Sequence, residues 1–135
     1  MPDSVVLDSC IIAAVFFPEG ITERAIEIVE SHDCTTVDLA YVEVANVAWK
    51  RVRHSGQEII GSGLADAQAF IRETCHVVPA RDLMPAAYDL SCSHNITIAD
   101  ALFLAATVRC GTCLVTADGR LHDAAKKVTA AYLVR

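Results

Sequence analysis

The stretch Ser4-Val-Val-Leu-Asp8 is a short apolar run closed by one acidic residue, and it decides how the rest of the chain is interpreted. Its consecutive apolar residues are typical of a strand that is covered on both faces, as in a parallel sheet. An uncharged segment, Cys10–Phe17, follows almost at once, and we predict that it is helical. With eight residues it is far too short to span a bilayer. The first elements are therefore a buried strand and a helix.

The remaining sequence continues this alternation. Further strands are predicted at Cys34–Asp38, Cys75–Pro79, Cys113–Thr116 and Val128–Val134. Further helices are predicted at Ile21–Ser31, Leu39–Arg53, Ile60–Thr74, Leu83–His94, Ile98–Cys110 and Leu121–Lys126, with a polar turn at His54–Gln57. Alternating strands and helices predict one α/β domain over residues 1–135, with a five-stranded parallel sheet and helices on both of its faces.

Four acidic residues lie where this pattern makes a charge conspicuous. Asp8 and Asp118 each close a strand-like run, whereas Glu43 and Asp100 are isolated acids in apolar helical segments. A buried charge is costly unless something pairs with it. In an open parallel sheet, ligands bind at the carboxyl ends of the strands. Because Mg²⁺ and Mn²⁺ take carboxylate oxygens as ligands, the four acids predict a metal site for phosphoryl chemistry at that edge.

Each acid also has a purely structural interpretation. Asp8 and Asp118 would cap the helices that follow them, since aspartate is a favoured N-cap residue. Asp100 lies in the predicted first turn of its helix, where the helix dipole favours a negative charge. These explanations do not account for Glu43, which lies mid-helix. The four acids together therefore favour a shared site.

Several polar residues are candidates for supporting this site. Ser9 and Thr116 could donate hydrogen bonds to the carboxylates or hold metal-bound water, and Asn46 shares a helix face with Glu43 and could orient it. Arg120, two residues after Asp118, is a candidate phosphate clamp. A basic cluster at the end of the Glu43 helix either complements the helix dipole or contacts RNA or a protein partner; it comprises Lys50, Arg51, Arg53 and His54.

Composition limits the classes of function. The net charge of −6 has the wrong sign for a protein that grips nucleic acid through basic surface alone, but bound divalent ions would change the local field. Hydrophobic residues make up 53% of the chain, so we expect some apolar surface to meet a partner or a second copy. The first residues lack the pattern of a signal peptide, and the expected location is the cytoplasm, with no membrane association.

The chain has six cysteines, which is many for a cytoplasmic protein. We expect most of them to be small buried hydrophobes. Cys34 and Cys75 open two predicted strands and are the pair to test for a disulfide. Cys110 and Cys113 have CxxC spacing, but no second such motif follows, so a zinc site is not favoured.

Taken in order, four short stretches resemble the PIN domain family, and at this length the VapC-type toxins of type II toxin–antitoxin pairs. The stretches are Val5-Val-Leu-Asp8-Ser, Val42-Glu43-Val-Ala-Asn46, Ile98-Ala-Asp100-Ala-Leu and Leu114-Val-Thr-Ala-Asp118-Gly-Arg-Leu. The resemblance implies a five-stranded parallel sheet and a Mg²⁺- or Mn²⁺-dependent endoribonuclease. It also implies a homodimer that a co-expressed antitoxin silences. The acidic quartet that it carries over, as catalytic residues and metal ligands, is Asp8, Glu43, Asp100 and Asp118.

Three other interpretations compete with this one. A phosphoaspartate receiver domain would need an acidic pair after the first strand, where this chain has Ser9-Cys10. It would also need a lysine near the carboxyl end of the fifth strand, where this chain has none. A phosphate-binding loop would need glycines after Asp8, and Ser-Cys-Ile-Ile supplies none. The remaining alternative is a non-catalytic PIN-like module that binds RNA or protein and uses its acids only structurally.

Overall fold

The computed structural model describes residues 1–55 and 62–135, and within them the chain forms five strands and seven helices. The strands are β1 (Ser4–Leu7), β2 (Asp33–Val37), β3 (His76–Val78), β4 (Cys113–Thr116) and β5 (Ala130–Leu133). The helices are α1 (Ser9–Phe16), α2 (Thr22–Ser31), α3 (Leu39–Ser55), α4 (Gly63–Glu73), α5 (Ala80–His94), α6 (Ile98–Cys110) and α7 (Gly119–Ala125). None of these helices is long and apolar enough to cross a membrane.

The five strands form one sheet in the order β3-β2-β1-β4-β5, and every neighbouring pair is parallel. Strand β1 is central, with Val6 opposite Thr35 of β2 on one side and Leu7 opposite Val115 of β4 on the other. Parallel strands need crossover connections, which the helices supply. The predicted five-stranded parallel α/β fold is confirmed, and all five strands end at the same edge of the sheet.

The core lies on both sides of the central strand. Val5, Val6 and Leu7 are each 0% exposed, and because successive side chains point to opposite faces, both faces of β1 are covered. Helix α6 packs against β1, β2 and β4 on one side and against α5 on the other. Its residues Ala101–Thr107 are all buried, as expected of a helix that is enclosed on all sides.

Several element boundaries differ from the prediction, for identifiable reasons. Helix α5 begins at Ala80 and not at Leu83, because the Asp38 carboxylate accepts a hydrogen bond from the Ala80 backbone N–H at 2.9 Å. Strand β5 begins at Ala130 and not at Val128, because the Val128 N–H bonds back to the carbonyl of Ala125 and completes the preceding helical turn.

The connection between α3 and α4 was predicted as a polar turn at His54–Gln57. His54 and Ser55 are still helical, so this part of the prediction is wrong; α3 simply continues two residues further than expected. Gly56, Gln57 and the predicted helix start at Ile60 lie outside the described residues.

All six cysteines are free thiols, so the disulfide considered between Cys34 and Cys75 is not formed. The two residues do lie side by side, since each precedes the register pair Thr35 and His76 of the β2–β3 ladder. Both are buried, and burial raises the pKa of Cys34 to about 11 and that of Cys75 to about 12. These two thiols are therefore protonated near neutral pH. Of the six cysteines only Cys34, Cys75 and Cys113 are buried, whereas Cys10 is half-buried and Cys92 and Cys110 are exposed, so the expectation that most of them are buried is wrong.

Candidate metal centre

The sheet topology brings the segments that carry the four acids to one edge. Asp8 directly follows β1, and Asp118 follows the neighbouring strand β4 after one intervening residue. Helix α3, which carries Glu43 in its second turn, begins two residues after the end of β2, on the other side of β1. Asp100 lies in the first turn of α6, which packs across the same three strands.

Asp8 is the buried centre of this group. Only 6% of the residue is exposed, and its Oδ2 accepts a hydrogen bond from the Thr116 hydroxyl at 2.7 Å. The Cys10 thiol lies 3.3 Å from the same oxygen and donates to it. Asp8 occupies the N-cap position of α1, but its side chain makes no capping hydrogen bond. The helix-cap interpretation therefore does not explain the Asp8 carboxylate.

Glu43 is half-buried and is oriented by a different residue from the one predicted. The Ser9 hydroxyl donates to Glu43 Oε1 at 2.9 Å and lies 3.5 Å from Asp8 Oδ1, so it links the two acids. Asn46 is exposed, and within the described residues no hydrogen bond joins it to Glu43. The role of Asn46 stays a prediction, whereas Ser9 is in contact with both carboxylates.

Asp100 is held by the start of its helix. Thr97 is the N-cap of α6, and its hydroxyl accepts a hydrogen bond from the Asp100 backbone N–H at 3.1 Å. Arg120 donates through Nη2 to the Asn95 carbonyl at 3.1 Å. Its positive charge lowers the pKa of Asp100, although burial and two neighbouring acids outweigh it.

Asp118 is the exposed member of the group, and its structural role is confirmed. Its Oδ1 accepts hydrogen bonds from the backbone N–H groups of Arg120 at 2.9 Å and Leu121 at 3.3 Å, which caps α7. This cap explains why α7 begins at Gly119 and not at the predicted Leu121. The Thr116 hydroxyl accepts from the Asp118 N–H at 3.0 Å, so it bridges Asp118 and Asp8.

Burial and mutual repulsion shift the acids in the same direction. Loss of solvent raises the pKa of Asp8, Glu43 and Asp100, and in each case the negative charge of another member of the group raises it further. The charge of Asp8 acts on Glu43 and Asp100, and that of Asp118 acts on Asp8 and Asp100. The four carboxylates therefore form one electrostatic cluster whose charged form is unfavourable without a compensating cation.

The oxygen atoms of this cluster are suitable ligands for a hard cation, because they belong to carboxylates and hydroxyls. Among the residues that the structure describes, however, no three or more acidic, histidine or cysteine side chains form a group that could hold a metal ion as they stand. The carboxylates share one electrostatic environment without forming a closed coordination shell.

The predicted basic residues divide between two locations. Arg120 lies beside the cluster, as described above, whereas Lys50, Arg51 and Arg53 lie further along α3. Arg51 donates to the Pro18 carbonyl at 2.8 Å and to the Glu19 carboxylate at 3.1 Å, so it ties α3 to the connection between α1 and α2. The guanidinium of Arg53 lies over the ring of Trp49, 5.2 Å from its centroid.

One residue at the centre was not predicted from the sequence. The Cys10 thiol donates to Asp8 and accepts from the Ala117 backbone N–H at 3.4 Å, although cysteines were expected to be inert core residues. Burial and the charge of Asp8 raise the pKa of Cys10, so it is a thiol that donates and not a thiolate. This contact could have been predicted from the position of Cys10 in the first turn of α1, where its side chain lies close to Asp8 at the end of β1.

Comparisons with known proteins agree with this arrangement. The sequence profile of the PIN domain matches residues 5–127. Ribonuclease VapC3 of Pyrobaculum aerophilum is 30% identical over 122 residues, which cover 88% of this chain and 92% of that protein. This similarity also confirms the predicted resemblance to VapC-type members.

Two solved structures share the fold. A crystal structure of a Pyrobaculum aerophilum protein superposes with a TM-score of 0.70 at 18% identity, covering 97% of this chain and 92% of the other. A toxin–antitoxin complex from Klebsiella pneumoniae gives a TM-score of 0.64 at 15% identity, covering 84% of this chain and 86% of the matched chain. The sequence profile, the curated relative and the fold agree, and the chain belongs to the PIN domain family.

Proposed function

We propose that this protein is a Mg²⁺- or Mn²⁺-dependent endoribonuclease that acts as the toxin of a toxin–antitoxin pair. The observation that carries the proposal is the cluster of Asp8, Glu43, Asp100 and Asp118 at one edge of the sheet, where burial and mutual repulsion raise the pKa of the first three. Without a bound cation, keeping these carboxylates charged would lower the stability of the folded protein. The similarity to a protein named as a VapC ribonuclease supports RNA as the substrate.

The residues have separate tasks in this proposal. Asp8, Glu43, Asp100 and Asp118 would hold the metal, while the hydroxyls of Thr116 and Ser9 orient Asp8 and Glu43. When bound, a divalent ion would activate water and neutralise charge at the phosphate. Arg120 is exposed, is anchored on the Asn95 carbonyl and lies beside Asp100, so it is placed to contact a substrate phosphate.

The absence of a closed coordination shell among the described carboxylates is compatible with a role in metal binding. Four like charges repel one another, so a cation is the ligand that would draw them into a common shell. The Glu43 side chain is only half-buried and Asp118 is exposed, so both have freedom to turn toward an ion. Asp8 is the buried member, whereas Asp100 is half-buried and lies in the first turn of the core helix α6.

The experiment that tests the proposal compares matched RNA hairpins, RNA duplexes and single-stranded DNA, each with Mn²⁺ and with EDTA. We expect metal-dependent cutting of looped or single-stranded RNA and poorer cutting of DNA, because an unpaired loop can bend its phosphate into a recessed site. Asp100→Asn should lose most of the cleavage while remaining folded. Asp123→Asn is the matched control, since Asp123 is an exposed acid on α7.

Cutting that survives EDTA, equal cutting of duplex DNA, or full activity of Asp100→Asn would contradict the proposal. The alternative, a non-catalytic PIN-like module, is separated by calorimetric titration with Mn²⁺. A nuclease of this design should bind Mn²⁺ and lose that binding in Asp100→Asn, whereas a scaffold with structural acids has no reason to bind the ion.

We also propose that the protein forms a homodimer, binds a cognate antitoxin and works in the cytoplasm. The high apolar fraction of 53% supports a protein partner, and the fold is shared with a toxin–antitoxin complex from Klebsiella pneumoniae. Light scattering of protein purified from its native host is the measurement. A monomer at high concentration, recovered with no partner, would contradict this part of the proposal.

A further inference from the structure

A single ridge of side chains runs along α3 away from the acidic cluster. Glu43 lies at its inner end, and Asn46, Lys50 and Arg53 follow at spacings of three or four residues. Residues at these spacings are neighbours on a helix surface. Trp49 flanks the ridge, three residues from Asn46 and four from Arg53. One helix therefore carries a carboxylate of the proposed metal site and, further along, an aromatic and basic surface.

Trp49 is an unusual residue to leave in solvent. It is the only tryptophan in the chain and is 57% exposed, although tryptophan is among the residues that are most buried on average. The Arg53 guanidinium lies 5.2 Å from the centroid of its ring, which holds the ring and the cation together. The fold makes no use of most of this aromatic surface, so the surface is available to a ligand.

The charge around Trp49 is opposite to that of the whole protein. Lys50 and Arg53 flank it and His54 follows, all exposed, in a chain whose net charge is −6. Proteins that bind single-stranded nucleic acid combine basic side chains that track the backbone with aromatic rings on which bases stack. Trp49 with its basic neighbours has both components.

The position of this surface fits the proposed reaction. Trp49 is six residues beyond Glu43, which corresponds to about 9 Å along the helix axis. Lys50 lies on the ridge between Glu43 and Arg53, where it would meet the phosphate backbone. We propose that Trp49 and Arg53 form a stacking platform for an unpaired base of an RNA whose scissile phosphate lies at the acidic cluster.

The proposal rests on the proposed ribonuclease function and names how that site captures its substrate. The other possible occupant is a helix of a protein partner, because Val42 and Val52 on the same helix are also exposed. A protein helix packed on Val42 and Val52 would also have to cover Lys50 and Arg53, and removing these two charges from water would cost free energy. An RNA strand would pair those charges with phosphates, which is why the observations favour RNA.

The single tryptophan provides a direct test. A single-stranded RNA oligonucleotide titrated in EDTA, where no cleavage occurs, should quench the intrinsic fluorescence, and an RNA duplex should not. Labelled RNA measured by fluorescence anisotropy should bind Trp49→Ala about 5- to 150-fold more weakly than wild type, the range found when a stacking residue is removed. Trp49→Phe should retain most of the affinity, and Val52→Ala should bind like wild type.

Kinetics with Mn²⁺ should show the same separation. Trp49→Ala is expected to raise KM with little change in kcat on short substrates, whereas Asp100→Asn should lower kcat. Unchanged RNA binding by Trp49→Ala would overturn the platform while leaving the ribonuclease intact. The platform would also be overturned if Trp49→Ala bound RNA normally and lost only the binding of a protein partner. Weaker RNA binding by Trp49→Ala, with no cleavage by wild type under any metal, would support the platform and sink the ribonuclease.

Discussion

The turns β1–α1 and β4–α7 are neighbours in the sheet and are built alike, yet their aspartates do different things. Asp8 and Asp118 both occupy the N-cap position of the helix that follows. The Asp118 carboxylate caps its helix through two backbone N–H groups and is exposed. The Asp8 carboxylate does not cap its helix, and Asp8 is only 6% exposed; the Thr116 hydroxyl and the Cys10 thiol donate hydrogen bonds to this carboxylate.

The comparison separates position from role. A strand, an aspartate and a helix in succession bring the side chain to the correct edge of the sheet, but they do not decide whether it serves the backbone or a ligand. Here the decision is made by Thr116, which donates its hydroxyl to Asp8 and accepts from the Asp118 N–H. The Asp8 carboxyl is therefore a buried acid that caps no helix, which supports its proposed role as a metal ligand.

The largest expected effect of changing either aspartate is on activity. Asp8→Asn should reduce metal-dependent RNA cleavage by about 10²-fold or more, because stabilisation by a metal contributes several kcal/mol to the transition state. Its melting temperature in EDTA should not fall, since the substitution removes a buried charge. Asp118→Ala should also reduce cleavage, because Asp118 is a proposed metal ligand, and it should in addition lower the free energy of unfolding by about 1 kcal/mol through loss of the cap.

Cleavage rates and urea unfolding in EDTA, measured for both variants, test this pair of expectations. Asp118→Asn is the matched control, because asparagine can still cap the helix while removing the charge. If Asp8→Asn were strongly destabilised and fully active, the Asp8 carboxylate would be a structural group and not a metal ligand.

A second expectation concerns pH and metal. The pKa values of Asp8, Glu43 and Asp100 are raised in the folded protein, so it holds these protons more tightly than the unfolded chain. Their contribution to stability in EDTA is therefore fully present below the unfolded pKa of about 4 and is lost as pH rises through the raised folded values. Mn²⁺ should reverse this loss, by about 2.7 kcal/mol at a hundredfold excess over its Kd.

Melting temperatures from about pH 4 to pH 8, with EDTA and with Mn²⁺, measure this effect. Asp8→Asn should flatten the EDTA curve relative to wild type, whereas the exposed control Asp123→Asn should not. Equal stabilisation of wild type and Asp8→Asn by Mn²⁺ would place the metal elsewhere.

A further, indirect effect is expected from Thr116, the residue that joins the two turns. Thr116→Val removes the hydroxyl that donates to Asp8 and accepts from the Asp118 N–H, and it should cost about 1.5 kcal/mol of stability. Thr116→Val should also weaken Mn²⁺ binding. Thr116→Ser keeps the hydroxyl and loses only a methyl group, so it should bind Mn²⁺ like wild type. Calorimetric Mn²⁺ binding to both variants is the measurement, and equal affinity would show that the bridge has no part in holding Asp8.

Sequence reasoning succeeded where a pattern is enforced by the fold. The apolar run of β1 was predicted because burial on both faces leaves a local signature. Ser9 and Thr116 were predicted as donors to the carboxylates, but the sequence does not show which acid each one meets, because Ser9 bonds Glu43 across 34 positions and Thr116 bonds Asp8 across 108. Cys10 was missed for a related reason, because a cysteine in an apolar segment has the same pattern whether or not it donates to a carboxylate.

Helix α6 has a consequence for how the protein opens. It is enclosed between three strands and α5, and its residues from Ala101 to Thr107 are buried, so its amides should exchange with solvent only when the whole molecule unfolds. Helix α3 packs against α1 and α4 and leaves Trp49 and Arg53 exposed toward its far end, so its amides are expected to exchange sooner than those of α6. Asp100 is thus fixed to the unit expected to persist longest, while Glu43 lies in the second turn of a helix that is exposed toward its far end.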